Sequence, residues 1–149
     1  MTIWVDADSC PAQAKDTILK IALKNQINVN YVANRPIPFS IQSDFFKMIV
    51  CPKTQDSADF MILENATQND IVVTRDLLFA EKLLKKNIKC LNDRGILFNQ
   101  ENLSYLLQER ALSLQMKNLN IRPAKQKHTY SQQDAKQFSC QLEKLIPQG

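Results

Sequence analysis

Glycine is scarce: only Gly95 and Gly149 occur in 149 residues. The P-loop and the dinucleotide fingerprint each need several glycines to bring backbone close to phosphate, so both are excluded. Histidine is scarcer still, since His128, in a polar stretch near the C-terminus, is the only one. A histidine-based triad or a multi-histidine zinc site within this chain is therefore excluded. Cys10, Cys51, Cys90 and Cys140 are scattered without a C-x-x-C pair, which argues against a disulfide framework and a cysteine zinc site. They read as mostly reduced core residues. Cys10, near an expected helix start, is the one thiol placed for a lowered pKa. No apolar run approaches the ~20 residues that span a bilayer, and no basic region with a hydrophobic signal core opens the chain. A cytoplasmic location and no membrane partner are expected. What remains is carboxylate chemistry.

The carboxylates begin at Ile3-Trp4-Val5-Asp6-Ala7-Asp8-Ser9-Cys10-Pro11. Ile3, Trp4 and Val5 form a short apolar run of the kind a buried parallel strand shows, and polarity switches at Asp6 without a glycine. Ser9 is a good N-cap and Pro11 suits a first helical turn, so a helix is expected to start there with its positive dipole end toward the acids. Asp6 and Asp8 have two readings at this point: helix-capping acids, or the start of a site.

Strand-like and helix-like segments then alternate. Strands are expected at 2–5, 27–33, 46–51, 71–74 and 88–91, and helices at 11–24, 58–66 and 77–86. Such alternation predicts an α/β fold, a three-layer α/β/α sandwich on a mainly parallel five-stranded sheet. The stretch 34–44, with Pro36 and Pro38, reads as a loop. Past Asn99 the pattern is helical, at 100–116 with Leu103, Leu106, Leu107 and Leu114 on one side, and at 132–145. A single domain of residues 1–149 is expected, with an α/β core over 1–98 and a helical extension over 99–149. Charge divides unevenly between the two parts. Residues 110–149 hold seven basic and two acidic residues, net +5, whereas residues 1–109 carry net −1. Arg122, Lys125 and Lys127, with His128 and Tyr130, can hold a polyanion or can form a solvated linker.

Most of the expected strands end in acid: Asp6 and Asp8 after the first, Asp56 and Asp59 after the third, Asp76 after the fourth, Asp93 after the fifth. In an open parallel sheet these ends share one edge, where ligands bind at the topological switch point. Several carboxylates gathered without histidine describe a site for a hard cation. Their mutual repulsion raises pKa values unless Mg²⁺ or Mn²⁺ neutralises them, and such ions prefer oxygen ligands and phosphate-bearing substrates.

Four motifs carry a resemblance: Asp6-Ala7-Asp8-Ser9-Cys10-Pro11, Val32-Ala33-Asn34-Arg35-Pro36-Ile37, Asp56-Ser57-Ala58-Asp59 and Leu91-Asn92-Asp93-Arg94-Gly95. In this order, and over nearly the whole chain, they resemble the bacterial YaiI/YqxD family, also called UPF0178. That family is similar to PIN-like and NYN nuclease domains, whose α/β sandwich gathers acids around Mg²⁺ or Mn²⁺ at one sheet edge. The resemblance implies that Asp6 is the first-strand acid, Asp59 or Asp56 the acid opening the central helix, and Asp76 the fourth-strand acid. Arg75 stands where a small residue is expected, and Asp93 where the family tends to have proline.

The expected activity is phosphodiester hydrolysis with Mg²⁺ or Mn²⁺ held by Asp6, Asp59 and Asp76 and with Asp8 in support. The expected partner is nucleic acid, RNA by analogy with PIN domains. Arg35, Lys53 and Arg94 are candidates to hold phosphates, with structural salt bridges as the other reading of each. Two rivals stand beside this. One is a catalytically silent RNA-binding protein whose acids hold a structural ion. The other is a haloacid-dehalogenase-like phosphatase, which Asp6-Ala7-Asp8 and Thr74 imitate but which lacks a glycine after the second Asp and a later Gly-Asp pair.

Overall fold

The computed structural model describes residues 1–120 and 129–147. Five strands, β1 (Thr2–Asp6), β2 (Asn28–Ala33), β3 (Phe46–Val50), β4 (Ile71–Val73) and β5 (Lys89–Leu91), form one sheet. Its order is β3-β2-β1-β4-β5, and every neighbouring pair is parallel. The helices are α1 (Ala12–Asn25), α2 (Ser57–Asn65), α3 (Leu77–Lys85), α4 (Gln100–Asn118) and α5 (Gln132–Leu145).

Because strand side chains alternate between faces, the apolar runs of β1, β4 and β5 supply two cores at once. Ile3, Val5, Ile71, Val73 and Leu91 face α1 and α5, where Ile18, Leu19, Phe138 and Leu142 are fully buried. Trp4, Val72 and Cys90 face the other way, against Ile62 of α2, Phe79 and Leu83 of α3 and Leu103 of α4. The result is a three-layer α/β/α sandwich, as the alternation predicts. Each large apolar side chain so buried contributes roughly 2 kcal/mol.

Topology follows from handedness. The chain leaves β1 toward β2 on one side of the sheet with α1 on one face. It leaves β4 toward β5 in the opposite direction, and a right-handed crossover then puts α3 on the opposite face. The connections therefore diverge between β1 and β4, which opens a crevice at the carboxyl ends of those two strands.

Several local expectations change. The N-cap of α1 is Pro11, with no side-chain cap, because Ser9 turns back so that its Oγ lies 3.3 Å from both the Asp6 carbonyl oxygen and Asp6 Oδ2. Leu114, expected on the buried side of α4, is 53% exposed, since only Leu103, Leu106 and Leu107 reach the core beside α3. The segment 34–45 holds neither helix nor strand but is anchored: the Phe39 ring lies 4.5 Å from that of Tyr31 and 5.7 Å from that of Phe46. At the amino edge of the sheet, Asp70 accepts hydrogen bonds from Thr2 N, Trp4 Nε1 and Thr67 N. That carboxylate is buried but satisfied. Among the described residues, no helix is long and apolar enough to cross a membrane.

Candidate carboxylate site

Asp6 ends β1, and Val5 pairs with Val73, so Thr74 lies beside Asp6 across the crevice. Both belong to the sheet face of Trp4 and Val72, which is the face α2 and α3 cover. Thr74 is buried and its Oγ1 donates to Asp6 Oδ2 at 3.0 Å. With Ser9 near the same oxygen, the Asp6 carboxylate is oriented from two sides. The Thr74 hydroxyl also accepts from Asp76 N at 3.1 Å, which ties the β1 and β4 ends to the start of α3.

Asp76 is the N-cap of α3, and its Oδ1 accepts from Leu78 N and Phe79 N. One carboxylate oxygen thus holds the helix terminus, where the macrodipole favours negative charge. Asp59 comes from the first turn of α2. Partial burial and the carboxylates of Asp6, Asp76 and Asp56 push its pKa up to about 7, and Lys82 of α3 opposes them. Asp6 is raised as well, first by burial and then by Asp8 and Asp76, against the hydrogen bonds from Thr74 and Ser9. Each of the three acids therefore feels at least one of the others. Among the described residues, nothing donates a hydrogen bond to Asp59.

The remaining candidates fall around this group. Asp8 is exposed; it accepts from Asn34 N at 3.1 Å and lies 3.6 Å from Arg35 Nε, joining the loops after β1 and β2. An exposed pair of that length leaves Arg35 free to exchange partners. Asp56 precedes α2 with φ 61° and makes no side-chain cap, a left-handed conformation that Asp tolerates better than most residues. Lys53 is exposed in the loop after β3.

Asp93, a candidate ligand by its place after β5, is held elsewhere. Its two oxygens accept from Arg75 Nε at 2.9 Å and Nη2 at 2.7 Å. Arg75, with no small-residue role to fill, closes this bidentate clamp on a buried carboxylate. Arg94 presents a buried Nε without a hydrogen-bond partner among the described residues. Cys10 departs from expectation too: burial first, then Asp93, pushes the thiol up to about 12, the reverse of an activated nucleophile. Arg122, Lys125, Lys127 and His128 lie outside the described residues.

Among the described residues, no three of His, Cys, Asp and Glu form a ready-made metal cage. The donor set nevertheless suits an ion that keeps most of its own waters. Mg²⁺ dehydrates reluctantly and is held by one or two carboxylates plus substrate phosphate, and Asp6, Asp59 and Asp76 each retain an oxygen to which no donor among the described residues is hydrogen-bonded. All-oxygen donors without histidine or thiolate also select the hard end of the metal series.

The family model described as "Uncharacterized BCR, YaiI/YqxD family" matches residues 4–148. The chain belongs to this YaiI/YqxD family. It is similar to a UPF0178 protein of Treponema denticola, 32% identical over 146 residues that cover 98% of this chain and 92% of the relative. A UPF0178 protein of Psychrobacter arcticus is 34% identical over 149 residues, covering 98% and 99%. One from Pseudomonas entomophila is 37% identical over 119 residues, covering 78% and 77%. No solved structure matches. In this YaiI/YqxD-family chain, Lys82 and Phe60 are neighbours of the acids that sequence reading passes over. Lys82 lies six residues past Asp76 on α3 and acts on Asp59. Phe60 directly follows Asp59 and is 62% exposed, and an isolated Phe in a helical pattern gives no sign that it faces solvent.

Proposed function

We propose that this protein is a divalent-metal-dependent nuclease that hydrolyses phosphodiester bonds, with RNA as the substrate class. The observation that carries the reading is the Asp59 carboxyl, which lies within electrostatic reach of Asp6 and Asp76 at the carboxyl edge of a parallel sheet, with no hydrogen-bond donor among the described residues and with only the Lys82 ammonium opposing part of the repulsion. A folded chain keeps such a group at the expense of stability, and perturbed carboxylates in a crevice point to function. Asp6, Asp59 and Asp76 would hold a Mg²⁺ or Mn²⁺ ion, which when bound would activate water and offset negative charge at the phosphate. The chain's own residues do the positioning. Thr74 and Ser9 fix the Asp6 carboxylate, and Asp76 is fixed by the first turn of α3. Arg35 and Lys53, on loops at the same edge, are our candidates to hold substrate phosphates, as a net-acidic crevice does not attract a polyanion unaided.

The test is cleavage of a labelled single-stranded RNA in Mn²⁺, Mg²⁺ and EDTA by wild type, Asp6→Asn and Asp59→Asn. The expected result is metal-dependent cleavage lowered at least a hundredfold in either variant. RNA binding that persists in both variants with no cleavage by the wild type in any metal replaces this reading with that of a silent RNA-binding protein. Changing Arg122, Lys125 and Lys127 to Ala tests the basic C-terminal stretch separately: each lost phosphate contact lowers the salt slope of single-strand binding by about 0.7. Cleavage at saturating RNA is expected to survive that change.

A further inference from the structure

Beside the carboxylates lies a cavity of about 460 Å³ in which Asp59 is itself a wall. Its apolar lining comes from Pro52, Phe60, Met61 and Leu63, and its polar lining includes Gln55 and Lys82. The size falls in the range of small-molecule sites. Phe60 is 62% exposed, an aromatic ring left in water at the mouth of a mostly apolar hollow. The charges narrow the occupant. Asp56, Asp59 and Glu64 line the cavity against the single ammonium of Lys82, so a phosphate is repelled and an uncharged, flat, partly apolar group is favoured.

From this we infer that the cavity receives one unpaired nucleobase of the substrate, stacked on Phe60, so that the protein acts on single-stranded and not on duplex nucleic acid. The inference rests on the proposed nuclease reading and specifies its substrate. In a nucleotide the base stands one sugar away from its phosphate, so a phosphate held near Asp59 through the divalent ion of the proposed reading would place a neighbouring base within reach of the cavity. A base within a duplex has both faces stacked and its edge paired, and cannot enter. Stacking on an aromatic ring is tolerant of sequence because every base has a π-face. The Gln55 side-chain amide offers both a donor and an acceptor to the polar edge of whichever base enters.

Phe60→Trp makes the cavity visible, since the native Trp4 is buried and a second indole at position 60 is exposed to any stacking base. Its fluorescence is titrated with adenosine, AMP, a single-stranded oligoadenylate and a duplex of equal length, each in EDTA and in Mn²⁺. Saturable quenching by adenosine is expected in EDTA as well as in Mn²⁺, with AMP weaker in EDTA because of its charge, and the duplex at least tenfold weaker than the single strand. In parallel, Phe60→Ala is expected to raise the Kd for the single strand about tenfold, and Phe60→Tyr to restore it. Phe60 is exposed, so none of these changes removes core packing. Unchanged affinity in Phe60→Ala, or quenching by N-acetyl-lysine amide and not by adenosine, overturns the inference, the latter assigning the cavity to a cationic side chain. Metal-dependent cleavage that persists in Phe60→Ala with unchanged KM overturns the pocket and leaves the nuclease standing. Quenching by adenosine in a protein that cleaves nothing supports the pocket and removes the nuclease.

Discussion

At Asp59, partial burial and three neighbouring carboxylates disfavour the ionised form together, and the Lys82 ammonium offsets only part of the effect. Linkage turns this into a pH dependence. Unfolded Asp releases its proton near pH 4, whereas folded Asp59 holds it until about pH 7. Between those values the folded state binds more protons than the unfolded state, so rising pH lowers stability across that window. The contribution is fully present below pH 4 and lost by the time pH passes 7. Asp59→Asn cannot titrate and lacks this slope. In EDTA, the difference in unfolding free energy between Asp59→Asn and wild type is therefore expected to grow in favour of the variant from pH 4 to 7.5. Because Asp59 is only half-buried, solvent screening limits the gain to about 1 kcal/mol. Urea titrations at several pH values measure it, and a difference that stays flat with pH sinks the picture of a strained carboxyl.

The turn between β5 and α4 decides how the last helix docks. Asn92 Oδ1 accepts from Arg94 N and Ile96 N, which curls the chain so that Gly95 takes φ +85°. A Cβ at Gly95 meets the Gln137 carbonyl oxygen of α5 at 2.6 Å. Two penalties coincide there, the positive φ and the close approach of helix backbone. Gly95→Ala is expected to destabilise the protein by about 2 kcal/mol or more, and to loosen α5 ahead of the rest, as amide exchange along 132–145 reports. Tyr130 braces the same corner by donating to the Asp93 carbonyl oxygen at 2.8 Å. Much at this scale is legible in sequence: apolar runs and their punctuation predict every strand and helix to within a residue or two, because period and burial are local signals. The sequence does not reveal which side chain answers which. Ser9 carries every mark of an N-cap yet bends to Asp6, and Asp93 follows a strand like the other acids yet faces Arg75, 18 residues away in the chain. Those pairings depend on strand order, and β5 stands at the sheet edge, one strand removed from the crevice at β1 and β4.

For the whole molecule, the proposed nuclease reading implies that the metal is also a folding ligand. Only the folded chain brings together Asp6 at the end of β1, Asp59 in the first turn of α2 and Asp76 at the N-cap of α3, so an ion bound there would stabilise the native state by mass action. At a hundred times the Kd that amounts to about 2.7 kcal/mol. In a domain of this size each kcal/mol moves the melting temperature by about 2–4 °C, so saturating Mn²⁺ is expected to raise Tm by about 5–10 °C over EDTA. Net charge does not account for a gain of that kind. The protein carries formal net charge +4, and a divalent cation acting by general screening gives a response that NaCl of equal ionic strength reproduces. Asp6→Asn separates the two explanations further. It removes one like charge from the cluster while an amide oxygen still accepts from Thr74, so its metal-free Tm is expected to equal or exceed that of wild type. Its Mn²⁺ response is expected to shrink by most of its size. A variant that melts higher in EDTA and gains little from Mn²⁺ identifies Asp6 as a ligand whose charge is tolerated for the ion's sake. A variant that keeps the full response makes Asp6 an anchor for Thr74 and Ser9 alone, and moves any metal site to Asp59 and Asp76.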